Sequence, residues 1–194
     1  MPAKYDPHRH TRHSFRLKGY DYTQEGMYFV TICTFQRELL LGAVENEKMV
    51  VNYIGLIVEE EWLKTPILRS HVALDIFVVM PNHFHGIIAI TPTGRSTERR
   101  TPTAERFGKP VPDSLPTIIR AFKSATTKRI NEMRGTPGQP LWQRNYYEHI
   151  IRSEGELMNA HDYIVMNPLR WQLDRENPQS QEGYGNRYGE CDDL

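Results

Sequence analysis

The chain has 194 residues, enough for one domain with a real hydrophobic core. Hydrophobic residues make up 39% and charged residues 25%, and no apolar run approaches the roughly 18 residues of a membrane helix. The net charge of zero argues against a simple polyanion binder, yet it hides a pattern: residues 117–152 hold seven Lys/Arg against two Glu, and residues 174–194 hold six acids against two Arg.

Residues 1–25 are rich in His, Arg and Tyr, lack periodicity and read as a basic arm. They contain no apolar segment of the secretory kind, so a cytoplasmic setting is expected. His8, His10 and His13 have metal-like spacing, which an exposed arm explains more simply. After Gly26, MYFVTICTFQ is dense in β-branched and aromatic residues and predicts a first strand. Ile54, Ile57, Val58 and Trp62 recur at helical spacing over residues 52–64, and Thr65-Pro66 stops that helix. VALDIFVVMPNHFHGIIAI, residues 72–90, is two apolar runs broken at Pro81-Asn82, hence two strands and a tight turn. Residues 91–112 carry Pro, Gly, Thr and charge and predict a mobile loop.

Asp113 or Ser114 is placed to cap a helix whose apolar set is Leu115, Ile118, Ile119, Phe122 and Ile130. Thr136-Pro137-Gly138 ends it, and LWQRNYYEHIIR predicts another strand. Ser153, with Glu156 in the reciprocal capping-box position, opens a last helix that runs toward Pro168. Residues 174–194 read as an acidic, disordered tail. The order is strand, helix, strand, strand, helix, strand, helix. It predicts an α+β fold over residues 26–173, an antiparallel sheet with helices packed on one face. Cys33 and Cys191 stand far apart, outside metal or redox spacing, and read as unpaired thiols.

The strongest chemical signal is His83-Phe84-His85. Residues two apart on a strand share a face, so the two imidazoles stand side by side, a natural pair for a divalent metal. Two histidines without a ligand are the plain alternative. A histidine-triad hydrolase needs a third His where Ile87 stands, and a zinc deaminase needs a Cys-X-X-Cys partner that this sequence lacks. The second signal is HDYIVMNPLRW, residues 161–171. Tyr163 and Asn167 are four apart and share a helical face, with core packing of the ring as the plain alternative. Taken together, Asn167 offers an amide oxygen as a third ligand, and a hard oxygen with open positions suits Mg²⁺ or Mn²⁺ near a phosphate.

VVMPNHFHGIIAI resembles the His-hydrophobic-His motif of the HUH endonucleases, and YIVMNPLRW resembles the tyrosine helix of their single-tyrosine transposase branch. LPTIIRAFKSATTKRIN and LWQRNYYEHIIRSEGEL are similar to the joining segments of the REP-associated tyrosine transposases. The resemblance spans about residues 15–173. It implies an RRM-like or ferredoxin-like antiparallel sheet backed by helices, with His83 and His85 as metal ligands. It also puts Asn167 in a third-ligand position, where other relatives carry Gln, and makes Tyr163 a nucleophile that forms a 5′-phosphotyrosine. The expected substrate is single-stranded or hairpin DNA, cut by a monomer or homodimer. Lys123, Lys128, Arg129 and Arg144 are the expected phosphate contacts, joined by Arg12 and Arg16 on the arm. Tyr146 and Tyr147 are candidates for base stacking, and His149 for orienting a ligand or phosphate. The rival readings are a non-catalytic RRM-like nucleic-acid-binding module, a replication initiator or relaxase of the same superfamily, and a zinc hydrolase built on the two histidines.

Overall fold

The computed structural model describes residues 17, 20–91, 111–174, 176–178 and 180. The first apolar run forms strand β1 (Gly26–Cys33). A short hairpin follows, β2 (Gly42–Glu45) and β3 (Lys48–Val51), turned by Asn46 and Glu47, both at positive φ. Sequence reading does not find this hairpin, because its strands are four residues each and its turn lacks the Asn-Gly signature. Helix α1 (Tyr53–Leu63) begins where the Asn52 side chain accepts hydrogen bonds from the backbone N–H groups of Ile54 and Gly55. Thr65-Pro66 ends α1 as expected, but also opens a one-turn helix, α2 (Thr65–Leu68), with Pro66 in its first turn.

Strands β4 (Val72–Val79) and β5 (His83–Ile90) flank the turn at Pro81-Asn82. Helix α3 (Leu115–Arg134) ends at Gly135, whose φ of 63° suits a residue without Cβ. The aromatic stretch after it gives β6 (Tyr147–Ile151), and α4 (Glu154–Met166) starts at Ser153, whose hydroxyl accepts from Glu156 N–H. The reciprocal half of that cap is displaced by one residue: the Glu156 carboxylate takes the N–H of Arg152.

The fold is α+β, and its four-stranded sheet runs β4-β5-β1-β6 with every neighbour antiparallel. With α1 and α3 as the connections, this is the βαββαβ arrangement of ferredoxin-like folds. Strand alternation then divides the residues between two faces. Tyr28, Val30, Ile32, Phe84 and Ile88 point to one side and meet Trp62 of α1 and Ile118, Phe122 and Ile130 of α3 in the main core. Phe29 and Ile87 point to the other side and meet Ile164 of α4 in a smaller core. The last helix therefore covers the sheet face opposite α1 and α3. A sequence reading with all helices on one face does not anticipate that placement. Among the described residues no helix is long and apolar enough to cross a membrane.

Candidate active site

His83 and His85 fall on the α4 side of β5, as their two-residue spacing requires, and both are buried. Their rings lie 4.5 Å apart between centroids. Each ring is held at Nδ1: His83 by the Asn82 side-chain oxygen at 2.9 Å, His85 by the Thr31 hydroxyl at 2.8 Å. Each Nε2 is buried without a hydrogen-bond partner. Burial pushes the His83 pKa down to about 4. The Asp174 carboxylate and the Asn167 amide pull it back up, and Arg37 adds to the fall. Burial and the neighbouring His83 hold His85 well below the ordinary histidine value. Both rings are thus neutral at pH 7.

Helix α4 brings the rest. The Tyr163 ring meets His85 edge-on at 5.1 Å and Phe29 at 5.9 Å. One turn later Asn167 caps the helix, buried, within hydrogen-bonding reach of the His83 ring, its Oδ1 without a partner. The four residues singled out by the two motifs are therefore gathered on one sheet face within one chain.

Three buried polar atoms, Nε2 of His83, Nε2 of His85 and Oδ1 of Asn167, lack hydrogen-bond partners, and an unsatisfied buried polar atom costs about 1–3 kcal/mol. Turning the Asn167 amide round would offer a donor to His83 but leave Nε2 of His85 orphaned. With both rings unprotonated at Nε2, these residues could hold a divalent cation through a mixed nitrogen–oxygen set. Among the described residues no group of three His, Cys, Asp or Glu is placed to hold a metal.

Residues to which the motifs assign no role complete the surroundings. Trp171, in the turn after α4, packs its ring 6.0 Å from His83. Beyond residue 174, where sequence reading begins the acidic tail, Glu176 and Asn177 are buried. The Glu176 carboxylate pairs with Arg37, and its carbonyl accepts from the Asn82 amide at 2.6 Å. The thiol of Cys33, also buried, sits beside that carboxylate.

The basic candidates are dispersed. Lys123 donates to the backbone carbonyls of Gln143, Arg144 and Asn145 at 2.6, 3.0 and 3.3 Å, tying α3 to the segment that leads into β6. An ammonium group has three protons, so in this arrangement none is left for a phosphate. Arg129 pairs with Glu60 and Glu61 of α1, on the layer away from the histidines. Lys128 is exposed beside Glu132, and Arg144 is exposed. Arg12 and Arg16 lie outside the described residues. Tyr147 faces the α4 side opposite Thr31, while Tyr146 packs against the main core. His149 lies 3.2 Å from Glu156 at the start of α4.

Comparison with known proteins adds one relative and two folds. The chain is 36% identical over 178 residues to an uncharacterized protein of Haemophilus influenzae, covering 90% of this chain and 98% of that one. No family model matches it. Among solved structures, a REP-associated tyrosine transposase bound to a REP hairpin superposes with a TM-score of 0.53 at 20% identity, over 84% of this chain and 74% of that one. A candidate transposase from Deinococcus radiodurans gives 0.45 at 18% identity, over 77% and 96%. At such identities the first likeness is one of fold.

Proposed function

We propose that this chain, which belongs to the same family as the Haemophilus influenzae protein, nicks and rejoins single-stranded or hairpin DNA through a covalent link to Tyr163. In this reading Mg²⁺ or Mn²⁺ is held by His83, His85 and Asn167. One observation carries it: Nε2 of His83, Nε2 of His85 and Oδ1 of Asn167 are buried without hydrogen-bond partners beside a tyrosine ring, on a sheet face covered by the helix that Asn167 caps. The fold shared with a transposase that holds a REP hairpin supports hairpin DNA as the substrate.

A bound divalent cation supplies charge withdrawal at the scissile phosphate. The chain's own residues do the rest. A tyrosine hydroxyl has a pKa of ~10 and attacks poorly unless it is held against its target. Packing against Phe29 and His85 orients the Tyr163 ring at the site. Its Oη gives up a proton and bonds to phosphorus. The bond from phosphorus to the 3′ oxygen breaks, and that oxygen leaves as a 3′ hydroxyl after taking a proton. The 5′ phosphate stays on Tyr163. In the second step a 3′ hydroxyl attacks the same phosphorus, the tyrosine oxygen leaves and regains its proton, and the strand is closed. The phosphoester energy is conserved, so no ATP is needed. Exposed Lys128 and Arg144, with Arg12 and Arg16 of the arm, are the proposed phosphate contacts.

The test is cleavage of a hairpin oligonucleotide by metal-free protein. Cleavage is expected on adding Mn²⁺ or Mg²⁺, none with EDTA, and none from His85→Ala, whose fold is checked by its thermal melt. Full cleavage in EDTA, or by His85→Ala, overturns the metal assignment. Hairpin binding without cleavage under every metal condition favours a non-catalytic nucleic-acid-binding module.

A further inference from the structure

Asn82 closes the turn between β4 and β5 and is fully buried. A side-chain amide offers one accepting oxygen and one donating nitrogen, and its neighbours decide which points where. Here Nδ2 donates to two backbone carbonyls, of Arg37 at 3.2 Å and of Glu176 at 2.6 Å. Carbonyl oxygens only accept, so the amide cannot be turned round without setting oxygen against oxygen at both contacts. Its Oδ1 is thereby fixed facing Nδ1 of His83 at 2.9 Å. An oxygen in that position accepts a hydrogen and can give none. The proton of neutral His83 must then reside on Nδ1, which leaves Nε2 with its lone pair toward Asn167. His85 is held differently. The Thr31 hydroxyl on its Nδ1 both donates and accepts, so that contact selects no tautomer.

We propose that Asn82 is a positioning residue: its amide, locked by the carbonyls of Arg37 and Glu176, holds His83 in the Nδ1–H tautomer and so presets Nε2 as a metal ligand before any metal arrives. The purpose of the lock rests on the reading of His83 as a ligand; the lock itself does not. A free neutral histidine side chain in water favours the Nε2–H form, the one that cannot bind metal through Nε2. Without Asn82, each binding event would have to move that proton first. Partners of this kind, hydrogen-bonded to a ligand's far nitrogen, also raise its basicity and orient its ring. The two locking carbonyls come from segments far apart in sequence. One ends a turn in which Gln36 and Arg37 both adopt positive φ, 55° and 56°, a conformation that side chains with a Cβ rarely take. The other follows α4 and is anchored by the ion pair of Glu176 with Arg37 itself. The same two residues thus hold each other and the amide between them.

The experiment reads the histidine ring nitrogens of the metal-free protein by proton–nitrogen correlation NMR at neutral pH, with Mn²⁺ affinity from calorimetry as the second measurement. In the wild type His83 is expected to show a protonated Nδ1 and a bare Nε2. In Asn82→Ala the two tautomers of His83 should mix, the His85 signals should hold, and Mn²⁺ affinity should fall about 10- to 100-fold. Asn82→Asp retains an acceptor and should restore the Nδ1–H form, although its melt should drop because a carboxylate oxygen then faces the two carbonyls. A wild-type His83 carrying its proton on Nε2 overturns the proposal, as does Asn82→Ala with unchanged tautomer and affinity. If Asn82→Ala does not fold, the wild-type and Asn82→Asp spectra decide the lock alone. If the tautomers shift as expected but wild-type protein binds no Mn²⁺, the lock stands and the ligand reading of His83 falls.

Discussion

Replacing Tyr163 by phenylalanine separates chemistry from packing, because the ring packs in the smaller core while the hydroxyl is the proposed nucleophile. The ring makes two edge-on aromatic contacts, with His85 at 5.1 Å and Phe29 at 5.9 Å. Such pairs contribute about 0.5–1.5 kcal/mol each, and phenylalanine retains both. What is lost is one hydroxyl, and losing a hydrogen bond costs about 1 kcal/mol. In a domain of this size that lowers the melting temperature by about 2–4 °C. Hairpin binding, carried by basic side chains elsewhere, should be unchanged. The covalent adduct should vanish, because the atom that bonds to phosphorus is gone. The assay uses a hairpin labelled at its 3′ end, since a 5′-phosphotyrosine leaves the 3′ fragment on the protein, and scores label that comigrates with protein after boiling in detergent. Tyr146→Phe and Tyr147→Phe should keep the adduct. Adduct formed by Tyr163→Phe at the wild-type rate would place the nucleophile elsewhere. A Tyr163→Phe protein that unfolds would make the hydroxyl a structural group and refute the separation.

Two further outcomes follow from the layers around the sheet. Lys123→Met removes an ammonium from three carbonyls and should destabilise the fold by about 1.5–3 kcal/mol, seen as a lower urea midpoint, whereas Lys128→Ala should leave the midpoint alone and reduce the salt dependence of hairpin binding by about one ion; the opposite assignment of effects would make Lys123 the phosphate contact. Gly55→Ala puts a Cβ 2.3 Å from the Leu41 carbonyl oxygen, so α1 must move off the segment before β2, and a loss of about 1–3 kcal/mol is expected in the same assay, with no loss disproving the close approach.

What could be read in advance was whatever depends on spacing. The alternation of His83, Phe84 and His85 put two imidazoles on one face and Phe84 in the main core, because a strand has period two. The four-residue step from Tyr163 to Asn167, and Pro168 after it, placed both at the end of one helix. The break at Pro81-Asn82 gave the turn. Spacing says nothing about layers, however. That α4 lies across the histidine face, while α3 lies behind it, follows from which apolar stripes fit together in three dimensions. Lys123 looked like a phosphate contact by its sign alone, and only the course of residues 143–145 past it shows where its protons go. Asn82 was legible as a turn residue. Its hold on His83 depends on two carbonyls 45 and 94 positions away in sequence, which no local pattern encodes.

The placement of α4 has a consequence for the proposed chemistry. Asn167 and Tyr163 are separated by one turn of a single helix, so anything that moves α4 moves the proposed third ligand and the proposed nucleophile together. The helix is fastened to the sheet at both edges, by His149 of β6 to Glu156 at 3.2 Å and by Asp75 of β4 to His161 at 2.8 Å, and by the Ile164 side chain against Phe29 and Ile87 between them. The two outer ties are partly exposed and contribute little each. The apolar middle carries most of the docking energy, and it lies directly beside the reacting groups. Loss of packing at Ile164 should therefore weaken metal binding and abolish adduct formation in step. A change at His83 should instead leave the position of Tyr163 against Phe29 intact. In the proposed chemistry, metal binding and the tyrosine nucleophile then depend on one docking event, the seating of α4 on the sheet.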